Sequence, residues 1–171
     1  MITYYTKEGK FEINDFCLIP FNLLHNNKGP AIIKKDGGKY WYLNGMSHRE
    51  DEPAVIKEDG EKLWYVKSVL HREDGPAIIK SNGSKEWWVN GKRHREDGPA
   101  VISKSISTTY IQSGIFNRTD QLALLGESKH WYVDGKRHRN DGPAVTFSDG
   151  SSYYFLEGNL IDHKLVKYLF S

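Results

Sequence analysis

The sequence predicts a mostly-β protein: an antiparallel meander of stacked β-hairpin repeats forming a single elongated twisted sheet, with terminal caps and a short C-terminal helix. Three observations predict it. His-Arg followed two residues later by Asp-Gly-Pro-Ala, as at 71–77 and 94–100, returns with a period of 23 residues. Five of the six prolines (Pro30, Pro53, Pro76, Pro99, Pro143) fall at one repeat position, each followed by alanine. Four of the five tryptophans (Trp41, Trp64, Trp87, Trp131) share another position, where the last repeat has Tyr154. A period of this length marks an array of stacked units. One unit cannot bury its apolar face alone, so the array is the folding unit.

Residues 1–24, with the hairpin-like TYYTKEGKFEI and the apolar FCLIPFNLL, read as an N-terminal cap over an otherwise open sheet end. Repeats then start at each histidine: 25–47, 48–70, 71–93, an enlarged 94–137, and 138–162. Within the third, Pro76–Lys80 is an apolar, β-branched strand, Asn82-Gly83 a turn, and Lys85–Val89 a second strand. Asp36-Gly37, Asp59-Gly60 and Asp149-Gly150 hold the same turn position, where glycine supplies positive φ. Each second strand ends at Asn44-Gly45, Asn90-Gly91 or Asp134-Gly135, and a polar connection such as 92–98 leads to the next proline. Proline fixes φ and lacks an N–H, which suits a strand entrance. About ten strands follow from this pattern.

A two-residue Asp-Gly loop would set Ile78 opposite Trp87. One face would then carry Ile32, Val55, Ile78, Val101 and Val145 beside the tryptophans, extended by Leu43, Val66, Val89, Val133 and Leu156, as the core. The other would show Ile33, Ile56, Ile79 and Ile102 with Tyr42, Tyr65, Trp88, Tyr132 and Phe155, and an odd loop length would re-pair these rows.

Three places break the repeat, and specialised function is sought there because shared positions build the scaffold. The fourth repeat holds an insertion at about 103–128, within which Thr119-Asp120 followed by QLALLG reads as a short capped helix. In the second, Glu52 replaces the glycine before proline, and Lys67-Ser68 replaces Asn-Gly, which implies a different turn. At the C-terminus, Ile161, Leu165, Val166, Leu169 and Phe170 lie at helical spacing, so 163–171 reads as a cap helix.

Composition narrows the function classes. Twenty-four basic against 22 acidic side chains give a net charge of +2, which does not advertise a nucleic-acid ligand. Cys17 is the single cysteine, so one chain has no internal disulfide and no thiolate-clustered zinc site. The start MITYYTKEGKFEIND has neither the basic nor the apolar region of a signal peptide, and the expectation is a cytoplasmic protein with no membrane partner. No glycine-rich phosphate loop, nucleophile elbow, HExxH or paired-cysteine motif occurs, so neither an enzyme nor a cofactor is expected.

The period, together with Trp-x-x-Asn-Gly-Lys-x-His at 87–94 and Trp-x-x-Asp-Gly-Lys-x-His at 131–138, resembles the MORN repeat family over about residues 25–163. That resemblance implies stacked β-hairpins and a protein or membrane interaction scaffold rather than an enzyme. After the histidine the MORN pattern continues Gly-x-Gly, whereas here it reads Arg-Glu-Asp-Gly-Pro-Ala, which is similar to repeats of phage and large-virus proteins. The departure points away from lipid binding and towards a viral origin.

Four copies of His-Arg-x-Asp (48–51, 71–74, 94–97, 138–141) contain metal-ligand and proton-carrying residue types. A residue needed in every repeat is more simply explained structurally, with Asp as a turn acceptor and His bridging units. Arg49, Arg72, Arg95 and Arg139 form a basic ladder, but Glu50, Glu73 and Glu96 beside the first three point to inter-unit ion pairs rather than phosphate binding. The row Tyr42, Tyr65, Trp88 and Tyr132 is either a second packed layer or homodimer interface, or a partner surface. Tyr110, Ile111, Ile115 and Phe116 supply apolar anchors on the insertion, with Arg118 as a polar contact. The expected function is therefore binding of another protein, with a phage-encoded inhibitor of a host defence or transcription protein as the specific form. Alternatives are a small-ligand or nucleotide-sequestering protein and a self-assembling structural component.

Overall fold

The computed structural model describes residues 1–105, 111–112, 115–116 and 126–169, and these are mostly strand. Twelve strands form one antiparallel sheet: β1 Ile2–Thr6, β2 Gly9–Ile13, β3 Ile32–Lys34, β4 Lys39–Tyr40, β5 Val55–Ile56, β6 Lys62–Leu63, β7 Ile78–Ile79, β8 Lys85–Glu86, β9 Val101–Ser105, β10 Gly126–His130, β11 Val145–Phe147 and β12 Ser152–Tyr153. Their order is β2-β1 and then β3 to β12 in sequence, the meander that the repeat predicts. Contacts divide the chain into two compact bodies, one of Met1–Ser81 with Trp87–Lys92 and one of Asn82–Glu86 with Arg93–Ser171.

The register differs from the two-residue-loop expectation by one position. Val55 lies opposite Leu63 and Ile56 opposite Lys62, and Lys57 N–H donates to the Glu61 carbonyl at 2.9 Å. Residues 58–60 are therefore a three-residue loop, closed by Gly60 at φ 86°. This is the turn whose last residue must be left-handed, which is why glycine recurs there. The same closure joins Lys34 to Gly38 and Phe147 to Ser151. Ile32, Val55, Ile78 and Val145 are buried as expected, but their cross-strand partners are Tyr40, Leu63 and Tyr153, not the tryptophans.

The second strand does not run on through the tryptophan. The main chain breaks there, and the following residues form a separate two-stranded hairpin: Tyr42–Leu43 with Met46–Ser47, Tyr65–Val66 with Val69–Leu70, Tyr132–Val133 with Lys136–Arg137, and Phe155–Leu156 with Asn159–Leu160. These hairpins hold the two-residue loops, with both central residues at positive φ. Lys67 (49°) and Ser68 (64°) adopt that same turn without glycine, so the expected change of turn in repeat two does not occur. Ser68 compensates: its hydroxyl accepts from Ser47 N–H at 3.1 Å, while its own N–H donates to the Ser47 carbonyl at 2.8 Å.

At the N-terminus, β1 and β2 join the sheet beside β3, and two 3-10 turns, Phe16–Leu18 and Phe21–Leu23, bring Ile19 and Leu24 onto Ile2, Ala31 and Ile32. In the second body, β9 and β10 pair over five positions, from Val101–His130 to Ser105–Gly126. Residues 104–127 thus stand where repeat two has 58–60, which places the insertion at the hairpin tip. The helix expected at 119–125 falls outside the described residues. The C-terminal α1, His163–Leu169, leaves Leu165 and Leu169 exposed. Among the described residues, no helix is long and apolar enough to cross a membrane.

Candidate functional site

The recurring histidine and arginine are built into the scaffold. Each histidine begins a connection, and in four of the five repeats its Nδ1 accepts a main-chain N–H from the turn 19 residues on: Asn44 to His25 at 3.2 Å, Lys67 to His48 at 3.3 Å, Asn90 to His71 at 3.2 Å, Glu157 to His138 at 3.0 Å. In the enlarged fourth repeat the buried His94 Nδ1 has no hydrogen-bond partner among the described residues. The next turn residue donates to the carbonyl just before that histidine, as Gly45 does to Leu24 at 2.8 Å and Gly91 to Leu70 at 2.9 Å. The histidine bond therefore lies within its own repeat, where a bridge between units was expected, and satisfies a turn N–H that two left-handed residues would otherwise leave open. The link between successive repeats is the main-chain bond, as from Ser68 N–H to the Ser47 carbonyl.

Arginine fills the space over the tryptophan. The guanidinium carbon lies 4.1 Å from the Trp41 ring centre for Arg49, 4.2 Å from Trp64 for Arg72 and 4.3 Å from Trp131 for Arg139, stacking distances at which cation and ring attract. Its Nη1 donates to the proline carbonyl four residues on, and its Nε to the Asp carboxylate two residues on: Asp74 at 2.7 Å, Asp97 at 2.8 Å, Asp141 at 2.7 Å. That hydrogen bond, together with the charge of the same arginine, holds each carboxyl below its ordinary range. A Cβ on Gly75 would come within 3.1 Å of Arg72 Cζ, so glycine before proline leaves room for the guanidinium.

Two further expectations are corrected by this geometry. The Asp of His-Arg-x-Asp serves its own repeat's arginine instead of a turn N–H, because the guanidinium fork presents the stronger donors. The glutamates pair within their repeat with histidine Nε2, at 3.6 Å for His71–Glu73 and 3.7 Å for His94–Glu96, not between repeats. Repeat two varies the theme: Arg49 pairs with Glu52. In repeat one Asn26 replaces arginine, and its Nδ2 donates to the Pro30 carbonyl at 2.9 Å. Among the described residues, no three His, Cys, Asp or Glu side chains gather to hold a metal.

The aromatic row lies on the small hairpins. Tyr42, Tyr65 and Trp88 are half-buried and Tyr132 is 9% exposed, so this is a partly covered layer rather than an open stripe. Burial pushes the Tyr42 and Tyr65 phenols up. Around Tyr132, Arg93 and Arg137 lie 5.5 and 6.0 Å from the ring centre, and Arg137 also lies 5.3 Å from that of Phe155. Of the insertion residues, Ile111 pairs with Phe116 and Gln112 with Ile115 in a short hairpin; Tyr110 and Arg118 lie outside the described residues.

Sequence reasoning missed an open groove of about 850 Å³ between the connections of repeats one and two, lined by Asn26–Pro30, Trp41, Leu43 and His48–Glu52. Its only signal was the substitution of Glu52 for glycine, which adds a carboxylate to one wall. A scan against protein-family models found no match, and no curated protein matches the chain.

Proposed function

We propose that the chain is a non-catalytic binding scaffold that captures another protein through the insertion on its fourth hairpin. The supporting observation is the length of β9 and β10: two rungs of pairing, Lys104–Glu127 and Ser105–Gly126, continue beyond Ser103–Ser128, the position at which Lys57 and Glu61 close the hairpin of repeat two. The hairpin that carries the insertion is paired on its other edge to β11, and binding segments are commonly loops held on such strands. The MORN-like repeat, in the variant similar to phage and large-virus proteins, makes a host protein the partner class and inhibition of a defence or transcription protein the specific form.

Replacing residues 104–127 by the Glu-Asp-Gly loop of repeat two tests the reading. Capture of the partner, identified from host lysate by mass spectrometry and then measured with purified components, should be lost while the thermal melt is retained. Undiminished affinity in the shortened chain would refute the assignment. The groove at repeats one and two favours a second reading, binding of a small ligand beside Trp41. A saturable thermal shift with one member of a nucleotide panel would support that reading instead.

A further inference from the structure

We propose that β2 is the interface of a two-fold homodimer, pairing antiparallel with β2 of a second copy about Phe11. This interface is separate from the insertion and does not depend on it. β2 is an outer strand of the sheet, paired on one side by β1 along all five of its residues. The main-chain direction of its free side follows from its neighbour. Tyr5 N–H donates to the Ala31 carbonyl at 2.8 Å and the Tyr5 carbonyl accepts from His25 N–H at 3.0 Å, so Tyr5 is bonded away from β2. Lys10 lies opposite Tyr5, and in an antiparallel ladder its own N–H and C=O then point outward, as do those of Glu12 two residues on.

A two-fold axis at Phe11 sets Lys10 opposite Glu12 of the second copy and Glu12 opposite its Lys10. Both are the outward-pointing residues, so each pair exchanges two main-chain hydrogen bonds. Both are also opposite charges, which stabilise directly facing strand positions. Phe11 then meets Phe11 of the second copy at a non-hydrogen-bonded position, where side chains approach most closely. That ring is 40% exposed and already stacked on Tyr4 at 5.3 Å, so the pairing continues an aromatic layer and covers apolar surface.

A charged edge strand ordinarily blocks such association. Lys10 and Glu12 would do so against an arbitrary strand, but under a two-fold axis this spacing is self-complementary. The other outer strand, β12, is two residues long and offers no matching five-residue edge, so pairing closes as a dimer instead of continuing head to tail.

Charge exchange tests the register. Sedimentation equilibrium at low ionic strength should show the wild-type chain passing from 19.7 kDa to twice that mass with concentration. Lys10→Glu faces carboxylate with carboxylate and Glu12→Lys faces ammonium with ammonium, so each alone should dimerise about tenfold more weakly or worse. Mixed in equal amounts the two variants are complementary and should form a heterodimer, and the double variant should recover homodimers. Both positions are exposed, and loss of the 3.1 Å pair within the strand should leave the melt of each variant near wild type. A wild-type chain that stays monomeric up to about 1 mM overturns the proposal. So do single variants that dimerise as wild type does, or a mixture that fails to associate.

Discussion

The two compact bodies share one backbone plan, but two repeats of the second fill with charged or polar side chains a slot that the first leaves uncharged. At the last position of the second sheet strand, the first body has Tyr40 and Leu63, whereas the second has Glu86, His130 and Tyr153. The matching position on the small hairpins is Ser47 and Leu70 in the first body and Arg93, Arg137 and Leu160 in the second, so the last repeat, with Tyr153 and Leu160, keeps the uncharged form. Glu86 is 5% exposed and takes Arg93 Nε at 3.2 Å and Nη2 at 3.0 Å. The ladder is nevertheless unchanged: Trp64 N–H donates to the Ala77 carbonyl at 2.8 Å and Trp131 N–H to Ala144 at 2.9 Å. The hairpin geometry therefore follows from the positions the repeats share. Alanine is fully buried after every repeat's proline, histidine closes the turn in four of the five repeats, and arginine covers tryptophan, while the slot between is free to be apolar or ionic.

The largest expected effect tests that freedom. Arg93→Met keeps an apolar stem but removes the cation beside a buried carboxylate and should cost about 3 kcal/mol in urea denaturation. The double replacement Glu86→Leu with Arg93→Leu installs the residues of repeat two, Leu63 and Leu70, and should fall within about 1 kcal/mol of wild type or above it. A double variant as unstable as the single one would show that the slot is not interchangeable between bodies.

The contrast also marks how far the sequence could be read. The 23-residue period, the strand runs and the glycine turns were legible because each repeats with its neighbours. The register was not, because Asp-Gly fits both a two-residue loop and the last two places of a three-residue one. That ambiguity moves every cross-strand pair by one residue. The break at tryptophan was hidden because Lys85–Val89 is a continuous strand-like run, and periodicity cannot show a main-chain turn between two apolar rings. The Arg–Asp pairing escaped because hydrogen bonds inside a polar connection leave no hydrophobic signal. Of the two proposed binding surfaces, the insertion was legible by its length and the outer strand β2 was not, since Lys10-Phe11-Glu12 reads as an ordinary exposed strand until its neighbour's hydrogen bonds are known.

His130 supplies a smaller effect that only the second body should show. Burial, with Arg137 and Arg93 adding like charge, lowers its pKa from the ordinary value. The unfolded chain takes up this proton near about pH 6.5 and the folded chain only at lower pH. In that window the unfolded state binds more protons, so stability rises with pH and is lost as pH falls below about 6.5. Replacing His130 by leucine, the residue of repeat two, should remove this part of the acid-side decline. Melting temperatures of both chains across pH 7 to about 5 measure it, and parallel curves would show that the polar slot carries no proton linkage.

The smallest effect compares the two forms of the connection. In repeat three, Gly75 leaves space for the Arg72 guanidinium, and Gly75→Ala would set a Cβ 3.1 Å from Cζ, moving the cation off Trp64 or away from Asp74. The expected loss is about 1 kcal/mol, the value of a partly covered cation–ring contact. Repeat two already carries Glu52 at that position and has turned Arg49 to it, so Glu52→Gly should return Arg49 to Asp51 and change stability by less than about 0.5 kcal/mol. Thermal denaturation separates the two outcomes. Equal losses would mean that the identity of the residue before proline matters in itself. A loss confined to Gly75→Ala would mean that what the repeat preserves is the arginine's seat on tryptophan, with the carboxylate partner exchangeable.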